Sequence, residues 1–165
     1  MAHVLIIGYG NPLRGDDGIG WHAAGVLQQR YANDRRIEVV QCRQLAPELA
    51  ADIANAEHVI FIDAVETGPA GSIQRCAVCG EAQPGASTHI SDPQALLASC
   101  LDLYGKCPTA SLVAVTGESF AVQQQLTPTL ERALPLVVSR TEKMVNEYLA
   151  KSDLDETRHC AATGT

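Results

Sequence analysis

Three residues that fall after predicted strands have side chains suited to binding a divalent cation. Asp17 lies in the segment GYGNPLRGDDGIG, Asp63 closes the apolar run VIFID, and His89 lies in the segment ASTHISDP. Two carboxylates and one imidazole suit a borderline ion such as Ni²⁺, Zn²⁺ or Fe²⁺, and three ligands leave positions open for water or for donor atoms of a partner. The residue types therefore predict an open metal site, without identifying the metal.

Each of these residues alone also has an ordinary structural explanation. Either Asp16 or Asp17 could cap the helix that follows, and if Asp16 is the cap, Asp17 is free to point out of the sheet edge. Asp63 could begin the turn before Gly68, and a single loop histidine such as His89 is usually a surface residue. Their joint position at one edge of a parallel sheet favours a shared site.

The glycine-rich segment after the first strand does not have the pattern of a nucleotide loop. A dinucleotide fingerprint needs a third glycine where this chain has Leu13, and it needs an acid near the end of the second strand, where Gln41 and Cys42 stand. The segment also lacks the lysine of a phosphate-binding loop. The adjacent carboxylates of Asp16 and Asp17 indicate a cationic ligand instead.

Composition excludes several classes of protein. The chain has 165 residues, a formal net charge of −7 and scattered basic residues, which argues against binding to nucleic acid or to anionic membranes. It begins with a strand-like run rather than a secretory signal, so we expect a cytoplasmic protein. Of the six cysteines, only Cys76 and Cys79 have metal or redox spacing, and no second such pair completes a zinc site.

Apolar patterns predict alternating strands and helices, which form a three-layer α/β/α domain with a mostly parallel five-stranded sheet. Thr127 and Pro128 provide the cap and the first turn of the last helix, and Ser91 or Asp92 can cap the helix before it. One strand follows a tight turn too closely for a crossover helix, so we expect it to pair antiparallel with the strand that ends at Asp63. The predicted strands are residues 3–8, 37–42, 58–63, 71–78 and 111–116, and the first three helices are residues 18–31, 47–56 and 93–104. We expect a single domain over residues 1–150 and a flexible polar tail over residues 151–165.

At these same residues the sequence resembles the hydrogenase maturation endopeptidases, which process the large subunit of [NiFe] hydrogenases. The resemblance covers about residues 4–149, and its most specific part is the opening GYGNPLRGDDGIG. Four shorter segments follow in order: DAV at Asp63, STH at His89, GES near Glu118, and LTP before the last helix.

The resemblance implies a function and a set of site residues. It implies an endopeptidase that removes the C-terminal extension from the precursor of a [NiFe] hydrogenase large subunit after nickel insertion. Asp17, Asp63 and His89 would bind nickel that arrives with the precursor, so that cleavage depends on metal loading. Pro93 stands where some relatives have their histidine, and His89 is the only histidine of this loop.

Several alternatives remain open at this point. Asp16 or Asp17 could act as a catalytic base, with Asp16 helping to orient the site, and the sequence contains no His-Glu-x-x-His motif of the common zinc peptidases. A small metal-dependent amide hydrolase would fit the same three ligands. A nickel-sensing chaperone that binds the precursor without cutting it is a further possibility. The sequence does not identify the client hydrogenase, the oligomeric state or a role for Cys76 and Cys79.

Overall fold

The structure, a computed structural model, describes residues 3–80 and 92–162. The fold contains five strands and four α-helices, which alternate except that the third and fourth strands follow each other directly, and a short 3₁₀ turn, Gly15–Gly18, precedes the first helix. In chain order the elements are β1 (Val4–Tyr9), α1 (Ile19–Arg30), β2 (Ile37–Cys42), α2 (Leu49–Asn55), β3 (His58–Val65), β4 (Ile73–Val78), α3 (Pro93–Tyr104), β5 (Thr109–Thr116) and α4 (Pro128–Ala162).

The strands form one sheet in the order β2-β1-β3-β5-β4. The first four strands in this order are parallel, and β4 pairs antiparallel with β5, with Ile73 opposite Val115 and Val78 opposite Ala110. The mostly parallel five-stranded α/β fold predicted from the sequence is therefore confirmed.

The predicted partner of the antiparallel strand was wrong. β4 does not pair with β3, because β3 is hydrogen-bonded to β1 along one side and to β5 along the other. Only the outer side of β5 is left for β4, which becomes an edge strand with mostly exposed side chains. A tight connection between two strands thus does not make them neighbours when a later strand enters between them.

Helices cover both faces of the sheet, and each face has its own apolar core. α1 and α4 cover one face, where Ile19, Leu27 and Val137 pack on side chains of β1 and β3. α2 and α3 cover the other face, where Ile53 and Leu97 pack on the opposite set of strand residues. All six residues of β1 are buried, which explains why the sequence of this central strand is continuously apolar rather than alternating.

The helix ends follow the capping signals of the sequence in two of three cases. Asp92 caps α3 by accepting from the N–H of Gln94 at 3.0 Å, and Thr127 Oγ1 accepts from the N–H of Leu130 in the first turn of α4 at 3.4 Å. Neither Asp16 nor Asp17, which the sequence offered as alternative caps, caps α1. The N-cap is Gly18, without a side-chain hydrogen bond, because the 3₁₀ turn leads directly into the helix.

The last helix extends into the residues for which the sequence predicts a flexible polar tail. α4 continues as a helix through Ala162, although the side chains from Asp153 to His159 are exposed. Regular backbone hydrogen bonds therefore extend well past residue 150. In the part of the chain that the structure describes, no helix is both long and apolar enough to cross a membrane.

Candidate functional site

Backbone N–H and carbonyl groups of the loop after β1 hold Asp17 in place. The N–H of Asn11 donates to Asp17 Oδ2 at 2.7 Å, and the N–H of Asp17 donates to the carbonyl of Arg14 at 3.2 Å. Gly10 has a φ of +142°, and a Cβ at this position would lie 1.8 Å from the carbonyl oxygen of Asp17. Only glycine permits this close approach, so the loop glycine fixes the position of the carboxylate.

Asp63 lies within β3, on the strand next to β1, and is held from two sides. The N–H of Ala64 donates to Asp63 Oδ1 at 2.8 Å, and the buried hydroxyl of Tyr9 is also hydrogen-bonded to Asp63. Burial, together with a smaller contribution from the charge of nearby Asp17, raises the pKa of Asp63 to about 7 against these two hydrogen bonds. Burial and the carboxylate of Asp63 likewise raise the pKa of Tyr9.

Asp17 and Asp63 open into one cavity at the carboxyl-terminal edge of the parallel strands. The cavity has a volume of about 610 Å³. Its lining combines the two carboxylates with two arginines and with polar or backbone groups: Tyr9, Gly10, Asn11, Arg14, Asp17, Arg43, Gln44 and Asp63. Open α/β sheets bind their ligands at this edge, and the cavity offers both carboxylate and guanidinium groups to a ligand.

Asp16 points away from the cavity and is fully buried, with a relative exposure of 0%. Its carboxylate accepts hydrogen bonds from the N–H groups of Glu118 at 2.7 Å, Ser119 at 3.0 Å and Thr127 at 2.8 Å, and from the Thr127 hydroxyl. Burial by itself would raise the pKa of Asp16, but these hydrogen bonds outweigh it and lower the pKa below its ordinary value.

This carboxylate joins three segments that the sequence shows only as separate motifs. Asp16 comes from the GDDG turn, Glu118 and Ser119 from GES, and Thr127 from LTP. A parallel bridge between Arg14 and Gln123 adds backbone pairing between the same segments. The role of Asp16 is therefore to hold the loop that presents Asp17.

His89, the third predicted ligand, lies outside the described residues. Within residues 3–80 and 92–162, no cluster of three or more histidine, cysteine or acidic side chains could hold a metal ion. The structure thus brings together Asp17 and Asp63, and the assignment of His89 stays a prediction. Cys76 and Cys79, at the end of edge strand β4, are exposed free thiols.

Sequence reasoning did not single out the other cavity residues, among them Tyr9, Arg14 and Arg43. Tyr9 is the last residue of β1, and Arg43 follows the last residue of β2. Both belong to carboxyl ends of parallel strands, which is the signal that could have identified them. Arg14 lies inside the opening motif but carries no signal of its own.

Comparison with known proteins agrees with this geometry. The chain is 31% identical to the hydrogenase 2 maturation protease of Escherichia coli strain K12 over 133 residues, which cover 78% of this chain and 81% of that protein. The hydrogenase maturating endopeptidase HybD from Escherichia coli superimposes with a TM-score of 0.75 at 26% identity, covering 88% of this chain and 93% of HybD.

A more distant structure has the same fold. The [NiFe] hydrogenase maturation protease HycI from Thermococcus kodakarensis KOD1 gives a TM-score of 0.70 at 21% identity and covers 86% of this chain and 91% of its own. No protein-family model matches the chain. On the identity and coverage of the Escherichia coli relative, and on the fold they share, this chain belongs to the hydrogenase maturation proteases.

Proposed function

We propose that this protein is an endopeptidase that removes the C-terminal extension from the precursor of a [NiFe] hydrogenase large subunit once nickel has been inserted. The observation that carries the proposal is the convergence of Asp17 and Asp63 on one cavity at the carboxyl-terminal edge of the sheet. The family membership of the chain supports the peptidase activity.

The two carboxylates fit a metal that arrives with the substrate. Each has one oxygen fixed by a backbone N–H, from Asn11 in one case and Ala64 in the other. A divalent cation bound by both carboxylates would offset their mutual repulsion and the free-energy cost of burying the charge of Asp63. Such a pair binds nickel weakly alone and completes its coordination when the precursor supplies the other ligands, with His89 as the third ligand from this chain.

The two adjacent aspartates have different parts in the reaction. Asp17 faces the cavity and is the catalytic candidate, able to accept a proton from an attacking water. Asp16, whose oxygens are both engaged away from the cavity, is a positioning residue that holds the Asp17 loop. Substrate-bound nickel would polarise the scissile carbonyl or the water.

The test compares charge-neutralising variants in cleavage of the full-length precursor, followed by mass spectrometry of its C-terminus. Wild type should release the extension, whereas Asp17→Asn and Asp63→Asn should each abolish release. Asp102→Asn provides a matched control, because Asp102 is exposed on α3 and distant in the fold from the cavity lining. His89→Ala should slow cleavage strongly if His89 is a ligand.

Two results would contradict the proposal. Wild type that forms a stable complex with the precursor but never cuts it would make the protein a binding factor. Cleavage at the wild-type rate by Asp17→Asn or Asp63→Asn would show that the paired carboxylates are not needed for the reaction.

A further inference from the structure

Two arginines share the cavity with the catalytic carboxylates, and the proposed reaction has not used them. Arg14 and Arg43 both line the 610 Å³ cavity, and both are exposed. They come from different loops, one after β1 and one after β2. The cavity therefore contains two basic side chains that are contributed by two separate loops.

Neither guanidinium is neutralised by a residue that the structure describes. Among residues 3–80 and 92–162, no ion pair or side-chain hydrogen bond involves Arg14 or Arg43, although Asp17 and Asp63 line the same cavity. In a chain with a net charge of −7, other arginines do find acidic partners, as Arg30 does with Glu142 at 2.8 Å. The two cavity arginines keep their donors available for a ligand.

Backbone contacts hold both arginines in place. The N–H of Arg14 donates to the carbonyl of Asn11 at 3.0 Å, and its backbone forms the bridge to Gln123. Arg43 follows Cys42 directly, and the carbonyl of Cys42 accepts from the N–H of Gly10 at 3.3 Å. The loop that positions Asp17 therefore also fixes the backbone of Arg14 and contacts the residue that precedes Arg43.

We propose that Arg14 and Arg43 form a carboxylate-binding subsite that selects an anionic group of the C-terminal extension of the substrate. The planar guanidinium forms paired hydrogen bonds with a carboxylate, which gives both affinity and orientation. This inference rests on the proposed function, since it adds a specificity element to the same peptidase site. The anionic group is either an acidic side chain of the extension or its terminal carboxylate.

The experiment measures binding and cleavage of the full-length precursor by wild type, Arg14→Gln and Arg43→Gln. Each variant should raise the Kd and the KM about tenfold or more, with kcat within about twofold of wild type, as expected when a charge-assisted hydrogen bond is lost. Arg35→Gln is the matched control, because Arg35 is exposed and lines a separate cavity beside α1 and β2. The free energy of unfolding should be unchanged in all three.

Changes in the precursor identify the source of the carboxylate. Acidic residues of the extension are neutralised one at a time, and its C-terminus is amidated in a separate precursor. One of these changes should weaken binding about tenfold. The affinity of that changed precursor should not fall further when it is tested with Arg43→Gln. A loss confined to kcat at constant KM would overturn the subsite, since it would mean that the arginines act on the reacting atoms. Full affinity after all of these neutralisations would also overturn it.

The binding measurement separates this inference from the proposed function. If wild type binds the precursor without cutting it, the peptidase proposal fails, while the effect of both variants on Kd still decides the subsite. If both variants bind with wild-type affinity while wild type cleaves, the subsite alone is wrong.

Discussion

At the scale of single residues, two neighbouring aspartates differ in function because their surroundings differ. Asp16 is fully buried and accepts hydrogen bonds from backbone groups of two distant segments, whereas Asp17 is partly exposed and faces the cavity. Their types in the sequence are identical. The distinction depends on contacts with residues more than 100 positions away, so it could not be predicted from the opening motif alone.

Asp16→Asn should destabilise the fold by about 3 kcal/mol, because an amide loses the charge-assisted hydrogen bonds and presents its NH₂ group to N–H donors. Chemical denaturation would measure this change. Asp17→Asn is the matched control and should cost less than about 1 kcal/mol, since Asp17 accepts a single hydrogen bond among the described residues and lies near Asp63. Equal losses in the two variants would contradict the positioning role.

Tyr9→Phe should weaken binding of Ni²⁺ to the isolated protein about tenfold, because Asp63 loses the hydroxyl that orients its carboxylate. Isothermal titration calorimetry would measure the affinity. In proteins that also carry Asp63→Asn, tyrosine and phenylalanine at position 9 should give the same Ni²⁺ affinity. Tyr31→Phe is the control, since Tyr31 lies at the end of α1 outside the cavity. Unchanged affinity in Tyr9→Phe would show that Tyr9 only fills space.

At the scale of elements, the site depends on how closely α1 approaches the sheet. A Cβ at Gly20 would lie 2.2 Å from the carbonyl oxygen of Ile62 and 2.5 Å from that of Tyr9. The first turn of α1 therefore contacts the backbone of β1 and β3 just where these strands carry Tyr9 and Asp63. Helix and strands must keep this spacing for the two carboxylates to converge.

Gly20→Ala should lower the free energy of unfolding by about 3 kcal/mol or more and also reduce cleavage, because the added methyl group pushes α1 away from the sheet. Gly25→Ala in the same helix is the matched control. Its Cβ would meet only the side chain of Gln41, at 2.9 Å from the amide nitrogen that donates to the carbonyl of Trp21, so the variant should cost at most that one hydrogen bond, about 1 kcal/mol. Thermal and denaturant unfolding measure both effects, and a Gly20→Ala protein as stable as Gly25→Ala would contradict the close packing.

Much of the fold could be predicted from the sequence because local patterns determine most elements. The residues 37–42 and 93–104 were predicted with the bounds that the structure gives, since each has a clear apolar pattern between turn or capping residues. The partner of β4 could not be predicted, because strand order depends on the later arrival of β5. The α1 cap was missed because the 3₁₀ turn at Gly15–Gly18 leaves the carboxylate of Asp16 to distant donors.

At the scale of the whole molecule, both ends of the sheet hold ionisable groups. The carboxyl-terminal edge holds the cavity with Asp17 and Asp63, whereas the amino-terminal end of β3 holds His58, which is buried, stacks on Tyr148 of α4 and lies 2.6 Å from Thr109 Oγ1. Burial lowers the pKa of His58 to about 4, and the charge of Arg75 adds to the shift. Protonation of His58 therefore disfavours the buried position in which its ring stacks on α4.

The contribution of His58 to stability should fall as the pH drops from about 6.5 to about 4, because the unfolded chain binds a proton at His58 in this range while the folded protein does not. The full effect is on the order of 3 kcal/mol. In denaturation curves at several pH values, the free energy of unfolding of wild type should therefore decrease relative to that of His58→Asn as the pH falls. Asp63, whose raised pKa gives the opposite slope, is present in both proteins and cancels in the comparison. An identical slope would show that His58 titrates normally.

In the proposed function, this protein cuts a hydrogenase precursor only when Asp17 and Asp63 bind the nickel that the precursor carries. The most direct measurement incubates wild-type protein with nickel-loaded and nickel-free precursor of the same large subunit and determines the C-terminal mass of each. We expect loss of the extension from the loaded precursor and an intact nickel-free precursor. Equal cleavage of both forms would contradict metal reading, and cleavage of neither would contradict the peptidase function itself.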